Sequence, residues 1–339
     1  MVLSPAEGTA RYAKLRRDVA DAGILDRDYR YYSLLIAAIV AGMAISFIFI
    51  IRLPISAPLV LSAAAFAFFA VQACGIVHDA GHRTVFKSRA LNNALGEAFA
   101  FMLAMGFRSW QLRHNAHHAH TNIEDKDPDL DIPLHAFTLR QFQRQTGIWR
   151  SARRYQAFIF IPIRMLVVIS RRLAEIEYLR TQKPTAGLVV KAVVLLVGVG
   201  VWFGAPFLLF PLGKAILVLL IVHAAMGLYL SNVFAPNHKG MPQLSGDTDV
   251  SFLEQQIVTS RNITPGWFTD TLYFGLNYQI EHHLFPNCPR SRLKQITPYV
   301  LEVCRETGLE YTQAGILESN RIILRELNRV ATSADQPTL

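Results

Sequence analysis

The chain has 339 residues, of which 52% are apolar and 17% are charged, and its mean hydropathy is +0.26. Soluble proteins carry about 25% charged residues, so the composition excludes an ordinary soluble protein and favours an integral membrane protein. The net charge of +9 suits anionic lipid headgroups and basic cytoplasmic loops better than nucleic acid, because apolar spans are present. We therefore expect membrane lipids as partners and no nucleic acid.

Residues 1–30 are polar and basic, and they lack the apolar core and cleavage site of a removable signal peptide. A helix needs about 20 apolar residues to cross a bilayer. Four stretches are long enough, at residues 31–51, 55–77, 187–209 and 215–235. We expect the second span to end at His78.

The loops predict how these spans are oriented. Arg52 and Lys214 are the only charges in the two short connections, whereas the N-terminus and residues 78–186 are rich in Arg and Lys. Basic loops face the cytoplasm, so both termini are expected on the cytoplasmic side, in a bacterial cytoplasmic membrane. An even number of crossings also returns distant polar segments to one side.

Other segments are expected to be helical without crossing the membrane. Residues 91–107 are apolar but short and polar in places, which favours a buried or interfacial helix. Residues 150–172 alternate arginines with large apolar side chains, as in a basic amphipathic helix in the headgroup plane. Beyond residue 239 the composition is that of a soluble protein, with helices predicted at Leu293–Thr307 and 322–330.

The sequence therefore predicts an all-α integral membrane protein in three parts. A cytoplasmic N-terminal segment covers residues 1–30. Four transmembrane helices with a cytoplasmic histidine-rich region between them cover residues 31–238. A helical cytoplasmic cap covers residues 239–339.

Eight of the eleven histidines fall in three clusters, at residues 78–82, 114–120 and 279–283. On a helix, His114, His117 and His118 would project from one face, because residues three and four apart are neighbours. One zinc ion needs three or four ligands, so seven or more imidazoles indicate two metal ions.

The residue types around these clusters narrow the chemistry. Neither His-Glu-x-x-His nor Glu-x-x-His helix pairs are present, which disfavours a zinc protease and a carboxylate-bridged di-iron bundle. An imidazole site suits iron that changes oxidation state. A metal transporter or zinc-storage protein would carry histidines or acids along its spans, and only His223 lies within one.

The three clusters also carry a family resemblance. His-Asp-Ala-Gly-His at 78–82, His-Asn-Ala-His-His at 114–118 and Gln-Ile-Glu-His-His at 279–283, on four apolar spans, resemble the membrane fatty acid desaturase and hydroxylase family. The glutamine that begins the third box resembles front-end acyl desaturases in particular. The resemblance extends from about residue 31 to the helix after Pro289.

The resemblance implies a non-haem di-iron oxidoreductase that uses dioxygen to introduce a cis double bond into an acyl chain carried by a lipid, coenzyme A or acyl carrier protein. The alternative on the same scaffold is a hydroxylase, an acetylenase or another lipid-tailoring oxidase. Two electrons must come from outside the chain. The sequence has no cysteine-rich iron–sulfur motif, no Gly-x-Gly-x-x-Gly fingerprint and no fused haem-binding domain, so we expect a ferredoxin or flavoprotein reductase to dock on the basic surface. An acidic ferredoxin would suit its charge.

The resemblance also implies the metal ligands. Carried over residue by residue, they are His78, His82, His114, His117, His118, His282 and His283. The family has a further ligand between the last span and the third box, for which His238 is the candidate, although it could be a surface loop histidine. The family pattern assigns His78, His114 and His282 to one iron and His82, His117, His118, His238 and His283 to the other.

Several residues are expected to assist these ligands. Gln279 stands where many members have a histidine, and it could bind weakly, bind through water or leave that position open. Asn232 could act on the same iron through water. The acids expected to accept the second N–H of the ligating imidazoles are Asp79, Asp125, Asp127 and Glu281, and the alternative for the polar loop 122–131 is solvated surface.

The remaining histidines receive other roles. His120 would point away from the ligand face, and His135 is expected to be structural. His223 lies within a span, where an ionisable group is often functional. It could line a substrate tunnel or form hydrogen bonds between helices.

Overall fold

The computed structural model describes residues 3–130, 135–144, 146–246 and 248–333, without the side chains of Trp149 and Arg150. Asp131 of the polar loop lies outside these residues. The described part of the chain contains sixteen α-helices, and its strands form one two-stranded parallel sheet. The all-α fold with four membrane helices is therefore confirmed.

The helices are given in chain order. The first five are α1 (Pro5–Asp21), α2 (Tyr29–Arg52), α3 (Ala57–Gly81), α4 (Arg89–Met102) and α5 (Phe107–Ala119). The next six are α6 (Leu139–Gln143), α7 (Gly147–Arg153), α8 (Gln156–Arg164), α9 (Val167–Thr181), α10 (Ala186–Leu209) and α11 (Leu212–His238). There follow α12 (Phe252–Val258), β1 (Asn262–Ile263), α13 (Trp267–Leu272), α14 (Gln279–Leu284), α15 (Leu293–Thr307), β2 (Gln313–Ala314) and α16 (Ile316–Ser333).

Among the described residues, four helices are long and apolar enough to cross a membrane: α2, α3, α10 and α11. They coincide with the four predicted spans, but α3 and α11 run further than expected. The helix of the second span continues past the predicted end of the span at His78, because α3 runs to Gly81 and His82 is its C-cap. Apolar composition marks the part of a helix that lies in hydrocarbon, whereas the backbone hydrogen bonds continue into the polar residues that follow.

The chain divides into two compact units, each described here by itself. The membrane unit consists of Arg27–Leu112 and Pro162–Ser231. Within it, α2 packs against α3, α3 packs against α4, and α10 packs against α4 and α9. Large apolar side chains on the spans, such as Leu61 and Leu208, are 70% and 88% exposed. Such side chains are suited to contact with lipid.

The membrane unit also buries a cation. The Arg172 guanidinium, on α9, donates from Nη1 to His223 Nε2 at 2.9 Å and from Nη2 to the Leu103 carbonyl at 3.2 Å. It lies over the rings of Trp202 and Phe203, 4.9 and 5.1 Å from their centroids. His223 thus takes part in hydrogen bonding between helices, one of the two roles that the sequence left open.

The basic amphipathic segment at 150–172 is not one helix, and that prediction is wrong in extent. It is divided among α7, α8 and α9. Pro162 lacks an N–H, and the chain then turns tightly, with Met165 N donating to the Pro162 carbonyl at 3.2 Å. A Cβ at Gly227 of α11 would lie 2.4 Å from the Met165 carbonyl oxygen. The close approach of the two backbones accommodates this break only because residue 227 is glycine.

The histidine-rich unit consists of Met1–Asp26, Arg113–Ile161 and Asn232–Leu339. In it, α1 packs against α12 and α15, and α14 packs against α12 and α15. Val19, Ile257, Ile280, Ile296 and Val300 meet in its core, each fully buried. The third histidine box therefore lies on a helix held from several sides. The helix predicted at Leu293–Thr307 is confirmed as α15, and α16 contains the one predicted at 322–330.

Candidate metal centre

The second and third boxes are both helical, as their spacing predicted. His114, His117 and His118 lie on α5, and Gln279, His282 and His283 lie on α14. Within the histidine-rich unit their rings form two groups. We call them the His114 trio (His114, His118 and His282) and the His117 trio (His117, His238 and His283).

In the His114 trio, the Nε2 atoms converge on one point. His118 Nε2 lies 3.1 Å from His114 Nε2 and 3.2 Å from His282 Nε2. Two nitrogens bound to one ion at about 2.1 Å and at right angles would lie about 3.0 Å apart. The observed separations are therefore close to those of neighbouring ligands on a single metal ion.

In the His117 trio, one nitrogen of each ring lies within 4.8 Å of the others. His117 Nδ1 donates to Asp127, 3.0 Å from each carboxylate oxygen. Burial alone would lower the pKa of His117 and raise that of Asp127, but their hydrogen bond and ion pair outweigh it, so the pKa of His117 is raised and that of Asp127 is lowered. An anionic acceptor at Nδ1 fixes the ring and strengthens Nε2 as a metal ligand.

The other two rings of this trio are held at Nδ1 by neutral acceptors. His238 Nδ1 donates to the Thr259 carbonyl at 3.2 Å, and His283 Nδ1 donates to Gln256 Oε1 at 2.7 Å. A neutral imidazole that carries its proton on Nδ1 presents a lone pair at Nε2. All three rings can therefore carry a lone pair on Nε2, and that of His238 faces the Gln279 amide nitrogen at 2.8 Å.

Within the His114 trio, His118 is the ring that also stacks on a ring of the His117 trio. It contacts His114 and His282 through Nε2, and its ring stacks on that of His283 with centroids 4.2 Å apart. The family pattern places His118 with His117, whereas the contacts place it with His114. The assignment of ligands to individual ions stays a prediction.

Comparison with known proteins identifies the kind of protein to which this site belongs. The sequence model of the fatty acid desaturase family matches residues 53–315, which is more than half of the chain. The chain belongs to the fatty acid desaturase family. The prediction that the protein is a membrane-bound oxidoreductase of the fatty acyl desaturase type is confirmed. The comparisons do not support the hydroxylase or acetylenase alternative.

Several curated desaturases are similar to the chain. A Delta(6)-fatty-acid desaturase from Caenorhabditis elegans is 28% identical over 335 residues, which cover 94% of this chain and 74% of that protein. An acyl-lipid 8-desaturase from Rebecca salina is 30% identical, covering 74% of this chain and 59% of that protein. An acyl-lipid (9-3)-desaturase from Physcomitrium patens is 32% identical, covering 81% and 54%. The chain thus spans little more than half the length of the last two relatives.

The first histidine box of this desaturase lies in the membrane unit. The ring centroids of His78 and His82 are 4.7 Å apart. His78 Nδ1 lies 3.3 Å from Asp79 Oδ1, and Asp79 accepts a hydrogen bond of 2.8 Å from the Tyr32 hydroxyl. Asp79 therefore makes the kind of contact expected of it, while Tyr32 was not foreseen.

The four predicted acids divide into two pairs. Asp79 and Asp127 lie beside histidine rings, as described above. Asp125 instead pairs with Arg144 at 2.7 Å and with Arg140 at 3.1 Å on the exposed surface. That placement agrees with the solvated-surface alternative.

Glu281, although fully buried, also turns away from the histidines. Its carboxylate accepts from Tyr311 Oη at 2.6 Å and from Asn262 Nδ2 at 2.8 Å. Since Asn262 begins β1 and Tyr311 precedes β2, this carboxylate joins the third box to the small sheet. It acts on the box as a whole and not on one imidazole.

Gln279 lies against the His117 trio, with its Nε2 2.8 Å from His238 Nε2. Its Oε1 accepts from Asn237 Nδ2 at 2.8 Å, and Asn237 also donates to the carbonyls of Val233 and Leu276. These contacts turn the N–H side of the Gln279 amide toward His238. Direct ligation through the amide oxygen would require the side chain to rotate, and the role of Gln279 toward the metal stays a prediction. Asn232 is half-buried on α11, and its role stays a prediction.

Sequence reasoning missed Arg261, which is 1% exposed. Its guanidinium donates to the carbonyls of Pro236 and Lys239, at 2.8 and 2.9 Å, and its backbone N–H donates to the Asn237 carbonyl at 2.7 Å. Burial lowers the pKa of Arg261 to about 10, so it stays charged at neutral pH. A cation at the C-terminal carbonyls of α11 complements the helix dipole and fixes the turn that carries His238.

The two remaining histidines lie outside the trios. His120 follows the last residue of α5. His135 is buried against the rings of Phe137 and Phe160, 6.3 and 5.4 Å between centroids.

Proposed function

We propose that the protein is an acyl-lipid desaturase that introduces a cis double bond at two iron ions. The observation that carries this proposal is the pair of histidine trios in the histidine-rich unit, because six imidazoles arranged in two groups exceed the ligand needs of a single ion. The ligands are neutral imidazole nitrogens, and such a set suits an iron ion that must change oxidation state.

A pair of iron ions, when bound, supplies the activation of dioxygen that oxidation of an unactivated methylene pair requires. In the overall reaction, one dioxygen molecule takes up two hydrogen atoms from neighbouring carbons of the acyl chain, two electrons from an external donor and two protons from solvent. It yields one carbon–carbon double bond and two waters. The four-electron reduction of dioxygen is thereby balanced.

The protein's own residues hold and orient this centre. We assign His114, His117, His118, His238, His282 and His283 as ligands through Nε2, together with His78 and His82, which the family pattern implies. Asp127, Thr259 and Gln256 fix three of these rings at Nδ1. An amide is a weaker donor than an imidazole, so Gln279 leaves one position beside the His117 trio weakly held.

An acyl chain esterified to a membrane lipid is the proposed substrate form. Two of the relatives described above are named acyl-lipid desaturases, and an integral membrane enzyme meets such lipids directly. Coenzyme A and acyl carrier protein thioesters are the alternatives, and they would need a soluble carrier to dock.

The electron donor and orientation are also proposed. The net charge of +9 favours an acidic ferredoxin over a basic partner, and the loop charges favour cytoplasmic termini. The relatives described above are eukaryotic, so they lend no support to a bacterial membrane, and that origin stays a prediction.

Expression in a host of known lipid composition, followed by mapping of double bonds by mass spectrometry, tests the function. We expect a new double bond in the host's membrane lipids, and its loss in a His117→Ala variant that is still inserted. His120→Ala is the matched control, since it removes an imidazole outside both trios, and it should stay active. A hydroxylated product, or full turnover by His117→Ala, would overturn the proposal.

A further inference from the structure

The histidine-rich unit exposes a pair of large aromatic rings on α13. Trp267 is 84% exposed and Phe268 is 53% exposed, and their ring centroids are 5.9 Å apart. Isolated apolar side chains are common on protein surfaces, but adjacent exposed aromatic rings are typical of a surface that meets a partner.

The backbone that presents these rings is held firmly. Asp270 N donates to the Gly266 carbonyl at 2.7 Å, and Thr269 Oγ1 donates to the Thr264 carbonyl at 2.9 Å. Asn277 Nδ2 donates to Asp270 Oδ1 at 2.7 Å. The aromatic pair therefore lies on a backbone segment that several hydrogen bonds hold in place.

The residues that follow α13 contact the end of the fourth span. The rings of Phe234, on α11, and Phe274 lie 6.2 Å apart, edge to face. Asn237 Nδ2, also on α11, donates to the Leu276 carbonyl at 3.0 Å. The segment that follows the aromatic pair thus packs along the last two turns of α11.

The length of α11 locates those turns relative to a bilayer. With 27 residues, α11 is about 40 Å long at 1.5 Å per residue, whereas the hydrocarbon layer is about 30 Å thick. If the helix enters the hydrocarbon near Leu212, its last seven or so residues extend into the headgroup layer. Phe234 and Asn237 belong to this extension, so the segment bound to them lies at the depth of the headgroups.

We propose that Trp267 and Phe268 insert into the bilayer interface and anchor the histidine-rich unit to the lipid surface. Trp is enriched at this depth because its ring is apolar and its N–H is polar. Residues 264–269 carry no charge, which suits a lipid interface better than a charged protein partner. Only six residues separate α13 from α14, so the anchor would also hold the segment that leads into the third box. This inference goes beyond the proposed reaction and does not depend on it.

Fluorescence in lipid nanodiscs tests the proposal. The full chain and its Trp267→Phe variant are reconstituted in phosphatidylcholine that carries bromine near the headgroup end of its acyl chains, and their difference spectrum isolates Trp267. We expect brominated lipid to quench most of this difference signal, and aqueous iodide to quench little of it.

A second reporter serves as the control. Ala10→Trp in the Trp267→Phe background places a ring on the exposed side of α1, next to the Arg11–Glu306 ion pair, and iodide should quench it strongly. If the Trp267 signal is quenched by iodide and unchanged by brominated lipid, the pair faces water or a protein partner and the proposal fails. Loss of desaturase activity has no bearing on this result.

Discussion

At the scale of single residues, each imidazole in the His117 trio has a hydrogen-bond acceptor at Nδ1 that helps to orient it. Asp127 serves His117, Thr259 serves His238 and Gln256 serves His283. Groups that fix a metal ligand from behind typically change metal affinity or activity by about 10- to 100-fold when they are removed. The trio should therefore be sensitive to changes at residues that touch no metal.

Asp127→Asn tests the anionic acceptor. The variant should lose about 10- to 100-fold in activity or iron affinity, because a neutral amide supports His117 less well than a carboxylate does. Asp127 also accepts from the backbone N–H groups of Asn122 and Asp129, so a fall in melting temperature is expected as well. Asp125→Asn is the matched control. It breaks an exposed pair with Arg144 and should leave activity, iron content and melting temperature close to those of the parent. Equal effects of the two changes would contradict the account.

Gln256→Leu removes the neutral acceptor of His283 and keeps a side chain of similar size. Gln256 is fully buried and also donates from Nε2 to the His118 carbonyl at 3.0 Å. In the variant, His283 Nδ1–H loses its acceptor at 2.7 Å and keeps the contact with Thr121 Oγ1 at 3.1 Å, so the ring is held less firmly and the free energy of unfolding should fall by about 1 kcal/mol. Iron content should fall in the purified variant. Gln243→Leu, which removes an amide bonded to the Phe137 carbonyl, should retain its iron.

The sequence predicted the histidines of this site and the acid Asp127 behind His117, but not the neutral acceptors behind His238 and His283. Spacing places His114, His117 and His118 on one helix face, and it places Gln279 with His282 and His283. Gln256 and Thr259 come from a segment without histidines and reach the trio from 27 and 21 residues away. Such a contact depends on how α12 packs, and no local pattern reports that.

At the scale of elements, the Arg261 guanidinium contacts the backbone carbonyls at the end of α11. Arg261→Lys should lower the melting temperature and reduce iron content, because a single ammonium cannot reproduce the two-pronged contact of a guanidinium with the Pro236 and Lys239 carbonyls. Circular dichroism and metal analysis would measure both effects. Arg329→Lys, which keeps an exposed pairing with Glu326, should behave like the parent. A fully stable, iron-replete Arg261→Lys protein would show that this cap does not position His238.

Tyr311→Phe tests how the sheet holds α14. Removing the hydroxyl takes one donor from the buried Glu281 carboxylate, which should cost about 1–3 kcal/mol of the free energy of unfolding. Tyr299→Phe is the control, because Tyr299 packs against the same core as a partly buried ring. If denaturant unfolding gives the same midpoint for both variants, the contact contributes nothing beyond packing.

The sequence predicted where most helices lie, but not every point at which a helix ends or breaks. The four spans and α15 follow from apolar runs and amphipathic spacing. The continuation of α3 through His78 was missed because polar residues extend a helix as readily as they end it. The breaks around α8 were missed because one of them depends on the close approach of Gly227, in a distant helix, to the Met165 carbonyl.

At the scale of the whole molecule, composition alone identified a membrane protein, and the three boxes identified the desaturase family. The boundaries of the two compact units could not be predicted from composition or motifs. The histidine-rich unit is assembled from three separate stretches of the chain, so the site is built by residues that a linear division at residues 30 and 238 keeps apart.

The most direct test of the account is the iron content of the purified, active protein, determined by elemental mass spectrometry. We expect about two iron ions per chain, since two groups of imidazoles are available and each ion needs three or more ligands. His120→Ala should match the parent, whereas His117→Ala and His282→Ala should each hold less iron. An active protein that contains no iron would contradict the account.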